Sequence, residues 1–97
     1  MTWRRVSIAR YQRPMAKAGY SAEEMVDRAI ERRLFAPVGK AYPLVMMTIH
    51  RDLSGGIGVY FDQRQRPKWG WETMRDGLPP ELFGEFAAMV EAAKERV

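Results

Sequence analysis

The stretch from Tyr42 to Trp71 reads YPLVMMTIHRDLSGGIGVYFDQRQRPKWGW and holds most of the strand-forming residues of this 97-residue chain, with two of its three Trp. Successive side chains of a strand point to opposite faces, so the first part of the stretch divides into two alternating sets. One set is Leu44, Met46, Thr48 and His50, and the other is Val45, Met47, Ile49 and Arg51. Both sets begin apolar and turn polar near residue 50. The pattern predicts a strand that is buried at its start and emerges into solvent at its end.

A second strand follows, and the residues between the two strands indicate a hairpin. Its faces alternate in the same way, with one apolar set and one mixed set: Ile57, Val59 and Phe61, then Gly58, Tyr60 and Asp62. The connection, residues 52–56 with the sequence DLSGG, ends in paired glycines, which supply positive φ at little cost. Residues 68–74 predict a third strand with Trp69, Trp71 and Thr73 on one face. Residues 62–67 would then be an exposed connection.

Two helices are predicted on either side of this meander. Over residues 21–35, Ser21 is a favourable N-cap and Glu24 completes an S-x-x-E capping box. An apolar stripe at helical spacing follows the cap: Met25, Val26, Ala29, Ile30 and Leu34. The last helix is predicted from Pro79 to about Arg96, because prolines suit a first helical turn. Its inward stripe is Leu82, Phe83, Phe86, Met89, Val90 and Ala93.

These elements predict an α+β fold, in which a two- to three-stranded antiparallel meander is covered by two helices. We treat residues 1–97 as one domain, with residues 1–18 forming a basic N-terminal arm or an additional edge strand, the extended part falling within residues 2–11. We expect the core to be built from Met25, Val26, Ile30, Leu34, Val45, Met47, Ile49, Phe83, Phe86 and Val90.

Composition restricts the class of protein. A hydrophobic content of 46% is ordinary for a globular domain. The chain has no cysteine, which excludes disulfides and thiolate metal sites and suits a reducing compartment. No apolar run approaches the length of a membrane span, and no apolar block follows the N-terminal arginines as a secretory signal requires. We therefore expect a cytoplasmic protein without membrane association.

The net charge of +4 is concentrated in two segments. Residues 1–17 contain five basic side chains and no acid: Arg4, Arg5, Arg10, Arg13 and Lys17. Residues 63–78 contain four basic side chains against two acids. Segregated positive charge indicates an acidic or polyanionic partner, although a charged surface that only keeps a small protein soluble would look the same.

The most suggestive functional group is a set of cations interleaved with aromatics in the second segment: Arg64, Arg66, Lys68, Trp69 and Trp71, with Tyr60 nearby in the meander. Such a set can neutralise phosphates and stack bases. It can equally anchor a protein interface, where Trp, Tyr and Arg dominate the binding energy. A third interpretation is that one or both Trp fill the core. We predict that at least one of the two is substantially exposed and binds the partner.

Catalytic and cofactor chemistry has little support. His50 is the only histidine, and Asp52 on the same strand face is its one candidate partner for acid–base work. A single histidine without cysteine is a poor basis for a metal site. The glycines of residues 54–58 (SGGIG) join strand to strand and lack the lysine of a phosphate-binding loop. We expect no cofactor, no metal and no enzymatic activity, a small enzyme that uses His50 being the least favoured alternative.

Two segments resemble parts of known families. Residues 19–34, GYSAEEMVDRAIERRL, look like the second helix of ribbon-helix-helix repressors, but Pro14 leaves too few residues for the strand and full helix that precede it there. Residues 46–94 are similar, in order of elements alone, to the coactivator-type single-strand DNA binders. Order of elements does not imply function.

The sequence thus favours a small non-catalytic binding protein, an inhibitor or adaptor that docks on an acidic protein or nucleoprotein complex, and its size and charge suit a mobile-element origin. The alternative is direct binding of nucleic acid. The partner-binding candidates are Arg64, Arg66, Lys68, Trp69, Trp71 and Tyr60 in the meander, and Arg4, Arg5, Arg10 and Arg13 at the N-terminus. A spare edge strand also makes a homodimer an open alternative.

Overall fold

The computed structural model describes residues 1–7, 29–51, 54–74 and 76–96. Its five strands form one antiparallel sheet in chain order: β1 (Trp3–Val6), β2 (Ala29–Pro37), β3 (Leu44–Arg51), β4 (Ile57–Arg64) and β5 (Glu72–Thr73). A 3-10 turn (Pro80–Leu82) then leads into one helix, α1 (Phe83–Lys94). The predicted two- to three-stranded meander under two helices is therefore wrong, because the described chain is a five-stranded sheet with a single C-terminal helix.

Strand β3 lies at the centre of the sheet and is buried on both faces. Its residues from Leu44 to Ile49 are buried, His50 is half-buried and Arg51 is exposed. Met47 is flanked in register by Arg33 of β2 and Phe61 of β4. The prediction of a strand that is buried at its start and exposed at its end is confirmed.

The β3–β4 hairpin is also confirmed. The two strands pair along their whole length, from Leu44 opposite Arg64 to Arg51 opposite Ile57. Gly55 in the connection has a φ of +86°, a region that glycine enters without steric cost. The hairpin forms as predicted because its signals, alternation and turn glycines, are local.

Strand β2 replaces the second half of the helix that was predicted over residues 21–35, and residues 21–28 lie outside the described part of the chain. Leu34 pairs with Met46 of β3 on one side and with Val6 of β1 on the other. Leu34 and Phe35 are paired on both sides, and their apolar side chains are buried on opposite faces of the sheet. Tertiary pairing of this kind overrides local helix propensity.

Strand β1 forms one edge of the sheet, where an extended N-terminal segment was predicted. It pairs with β2 from Trp3 opposite Pro37 to Val6 opposite Leu34. The amide of Val38 donates to the carbonyl oxygen of Thr2 at 2.8 Å, which continues the ladder by one bond. The prediction for residues 8–11 falls outside the described residues.

Helix α1 packs on one face of the sheet, which we call face A. The buried cluster there combines sheet and helix residues: Phe35, Val45, Met47, Ile49, Leu78, Leu82, Met89 and Ala93. Phe86 is half-buried and meets the ring of Phe61 edge-on, with centroids 5.3 Å apart. Phe83 is 57% exposed, so its predicted place in the core is wrong. The helix is turned so that Leu82 and Met89 face the sheet.

An ion-pair cluster joins the end of the helix to the sheet. Glu31 of β2 accepts from Arg33 Nε at 3.3 Å and lies 3.6 Å from Arg96 Nη2, just after α1. All three side chains are partly exposed, so each contact contributes modestly.

The opposite face of the sheet, face B, has a second buried cluster of Leu34, Ala36, Leu44, Met46 and Trp71, against which Val6 and Tyr42 pack. Of the predicted core, Leu34, Val45, Met47 and Ile49 are buried, whereas Ile30, Phe86 and Val90 are half-buried. The predictions for Met25 and Val26 lie outside the described residues. Face B also carries polar side chains: Thr48 and Asp62 are fully buried there.

Candidate binding surface

The connection between β4 and β5 contains a tight turn over residues 66–69. The amide of Trp69 donates to the carbonyl oxygen of Arg66 at 3.1 Å. Pro67 occupies the second position of this turn, where its restricted φ is favourable. The chain therefore presents Arg66, Lys68 and Trp69 on a closed turn, and all three side chains are exposed.

Arg64 supports this turn from inside the fold. Its side chain is only 7% exposed. The guanidinium donates from Nε to the carbonyl oxygen of Arg66 at 3.2 Å, and from Nη2 to the carbonyl oxygen of Pro67. One planar group thus fixes two consecutive carbonyls, a task that suits the rigid fork of arginine.

The prediction of an exposed connection over residues 62–67 is wrong for its first half. Strand β4 continues to Arg64, and Asp62 is fully buried, where it accepts a hydrogen bond from Thr73 Oγ1 at 2.8 Å. The predicted third strand over residues 68–74 is reduced to the two residues of β5. Cross-strand contacts that sequence alone does not show account for both differences.

On the surface of the turn, the guanidinium carbon of Arg66 lies 4.7 Å from the centroid of the Trp69 ring. This is the geometry of a cation–π contact, which stabilises the pair modestly at an exposed site. The ring of Trp69 remains 49% exposed, and Lys68 lies between the two residues in the chain. The turn therefore carries two cations and a large aromatic side chain in a defined arrangement.

The two Trp of this segment have different environments. Trp71 is 8% exposed and packs in the face B cluster with Leu44 and Met46. The prediction that at least one Trp is substantially exposed is confirmed for Trp69. The prediction that both share one strand face is wrong, since neither residue lies in a strand. Trp71 fills the core and attaches the turn to the sheet.

Tyr60 and His50 form a separate contact on face B. Their rings meet edge-on with centroids 4.8 Å apart, and both residues are half-buried. A Cβ built on Gly58 would lie 3.0 Å from His50 Nε2, so the imidazole packs closely over that glycine. Asp52, the proposed partner of His50, lies outside the described residues. Among the described residues, no group of three His, Cys, Asp or Glu side chains could hold a metal ion.

Among the described residues, the N-terminal cations and the turn lie at different edges of the sheet. Arg4 and Arg5 are exposed on β1, at the sheet edge opposite β5, and Arg10 and Arg13 lie outside the described residues. The end of the sheet that carries the turn also exposes residues that the sequence analysis missed. The register of Leu44 opposite Arg64 places the β2–β3 loop at the same end of the sheet, and that loop exposes Lys40 and Val38. No feature of the sequence marks these two residues.

An open depression of about 460 Å³ lies on the other side of the molecule, between β1 and the start of α1. Trp3, Arg5, Phe35 and Glu81 are among its lining residues. The pKa of Glu81 is lowered, first by a backbone hydrogen bond and then by a hydrogen bond from the N-terminal ammonium, whose nitrogen is 3.1 Å from Oε1. Of the two acids that line the depression, Glu81 is thus paired with the N-terminal ammonium.

Comparison with family models, curated proteins and solved structures finds no match for this chain. Within the described ranges, neither helical segment has the length and apolar character that crossing a bilayer requires. The geometry itself defines the molecule as an α+β domain that presents a basic, aromatic turn.

Proposed function

We propose that this chain is a small non-catalytic binding protein, an inhibitor or adaptor, whose β4–β5 turn docks on an acidic surface of a protein or nucleoprotein complex. The observation that carries the proposal is the turn itself: Arg66 stacks on the exposed ring of Trp69, while the buried Arg64 holds the turn carbonyls. Trp and Arg are the residues that contribute most to protein interfaces.

Pre-organisation strengthens this interpretation. A side chain that is already held in its bound geometry loses less entropy on binding. The Arg66–Trp69 contact and the closed turn both restrict the side chains that would meet a partner. Lys40 at the same end of the sheet extends the positive surface. The partner face that complements this surface is therefore acidic, with an apolar recess for the indole ring.

The test is affinity capture with matched baits. The wild-type chain, Trp69→Ala, Arg66→Glu and Arg51→Glu are immobilised and exposed to extract of the source cells. Arg51 is an exposed cation at the opposite end of the sheet, so Arg51→Glu makes the same charge change away from the turn. We expect proteins that bind the wild type and Arg51→Glu but are lost from both turn variants. Capture that all four baits share would refute the proposal.

Direct nucleic-acid binding is the second candidate, and the exposed Trp69 beside Arg66 and Lys68 is the observation that favours it, because bases stack on such rings. Fluorescence anisotropy with a labelled single-stranded oligonucleotide separates the two. Nucleic-acid binding weakens as salt is added. For a single strand, log K falls by about 0.7 for each phosphate neutralised per unit increase in the logarithm of the salt concentration. A salt-dependent affinity that Trp69→Ala abolishes would replace the protein-docking proposal.

A further inference from the structure

Part of the β4 edge carries no strand partner within the described residues. Strand β5 pairs only with Asp62 and Gln63 of β4, and the amide of Met74 donates to the carbonyl oxygen of Phe61 at 3.0 Å. Backbone groups alternate in direction along an antiparallel strand. The amide and carbonyl groups of Ile57 and Val59 therefore point away from β3, as the Phe61 carbonyl does.

This edge has neither the charged side chains nor the prolines that often prevent strand addition. Exposed edges are usually blocked by charged side chains, prolines or bulges. Strand β1 at the other edge exposes two arginines, Arg4 and Arg5. Residues 57–61 of β4 read IGVYF and carry no charge and no proline. Of the two edges, β4 is the one that can accept another strand.

An apolar groove of about 240 Å³ runs beside the open edge on face A, between β4 and the C-terminal half of α1. Its lining includes Ile57, Val59, Val90 and Ala93. The first three are only half-buried. A strand that pairs with β4 would place alternate side chains over this groove, because every second residue of a strand faces the same side.

We propose that the occupant of this edge is the segment 57–59 of β4 in a second copy of the chain, paired antiparallel about a two-fold axis at Gly58. In this register Ile57 of each copy lies opposite Val59 of the other, so each strand supplies the β-branched apolar side chains that the groove of the other copy accommodates. The same surface serves both chains, which is the property of an isologous dimer. The two sheets join into one.

Charge also favours a second copy over a charged partner. Lys94 lines the groove, and its Nζ lies 3.1 Å from Glu91 Oε1 on the same helix. The charge of this lining residue is therefore already balanced within its own helix, and a two-fold axis brings no unbalanced charge into the contact. An acidic partner that suits the β4–β5 turn has no complement here. This inference does not depend on the function proposed for that turn.

Sedimentation equilibrium over a concentration series tests the proposal with two edge variants and a control. Ile57→Lys places a charge in the contact, and Val59→Pro removes an outward-facing amide while leaving the ladder to β3 intact. Val38→Lys is the matched control, since Val38 is exposed in the β2–β3 loop. We expect wild type and the control to reach twice the monomer mass, and both edge variants to remain monomeric with native circular dichroism.

Hydrogen exchange gives a readout that needs no variant. The amides of Ile57 and Val59 should exchange more slowly as wild-type concentration rises, whereas exposed amides of the β4–β5 turn should not change. A wild type that stays monomeric, a dimer that survives both edge substitutions, or exchange at these two amides that is independent of concentration would each overturn the proposal.

Discussion

Replacing Arg64 is the sharpest test of how the turn is built. The variant Arg64→Met keeps most of the aliphatic stem but removes both hydrogen bonds to the carbonyl oxygens of Arg66 and Pro67. A hydrogen bond to a charged group contributes about 1.5–3 kcal/mol. Two such bonds set the upper limit of the loss. The cost of burying the charge offsets part of it, since Nη1 of Arg64 is buried and has no hydrogen-bond partner among the described residues. We expect a net loss of about 2–4 kcal/mol.

Urea denaturation, monitored by circular dichroism, measures this loss of unfolding free energy, and Arg66→Met is the matched control. Arg66 is exposed and its loss should change the unfolding free energy by less than about 0.5 kcal/mol. Arg64→Lys retains the charge without the fork and should fall between Met and wild type. An Arg64→Met protein within about 1 kcal/mol of wild type would show that the guanidinium does not hold the turn.

Three further experiments test the fold. Met89→Ala should cost about 2–5 kcal/mol, whereas the exposed Phe83→Ala should cost less than about 1 kcal/mol, and equal losses in chemical denaturation would mean that α1 is rotated. Gly58→Ala should cost about 1–3 kcal/mol through its clash with His50, and a double-mutant cycle with His50→Ala should recover most of that loss. Because the pKa of Glu81 is lowered, its contribution is present above the ordinary value of 4.5 and is lost as pH falls through the folded pKa. The melting temperature of Glu81→Gln should therefore approach that of wild type as the pH is lowered. A difference in melting temperature that is the same at every pH would exclude this linkage.

The sequence predicts the parts of the fold whose signals are local. The β3–β4 hairpin needs only alternation and its turn glycines, and the last helix needs its prolines and its apolar spacing. Strand β2 shows the limit of this reasoning. Ser21 and Glu24 form a strong helix-start pattern, yet Leu34 and Phe35 further along the same segment pair with β1 and β3. Pairing partners far apart in the chain cannot be read from a local window.

The candidate surface was predictable in composition but not in geometry. The mixture of cations and aromatics in residues 64–71 indicated a binding segment, and Arg66, Lys68 and Trp69 are its exposed members. Charge alone indicated that Arg64 would be exposed as well. Its burial follows from two carbonyl oxygens of the next few residues, which need a donor once the chain turns back on itself. Such a bond depends on the turn geometry, and no residue pattern specifies it.

The exposed and the buried residues of this turn have different roles, so substitutions in the two sets should have different effects. Arg66, Lys68 and Trp69 are exposed and contribute little to the core, so they can change while the fold persists. Arg64 and Trp71 are buried and hold the same turn to the sheet, so a change in either moves every exposed residue of the surface at once. Under the docking role proposed for this turn, partner specificity depends on the three exposed positions, whereas substitution of either buried residue reduces binding and stability together. If substitutions at the exposed positions reduced stability, and substitutions of Arg64 or Trp71 reduced binding alone, the partner would contact the sheet and not the turn.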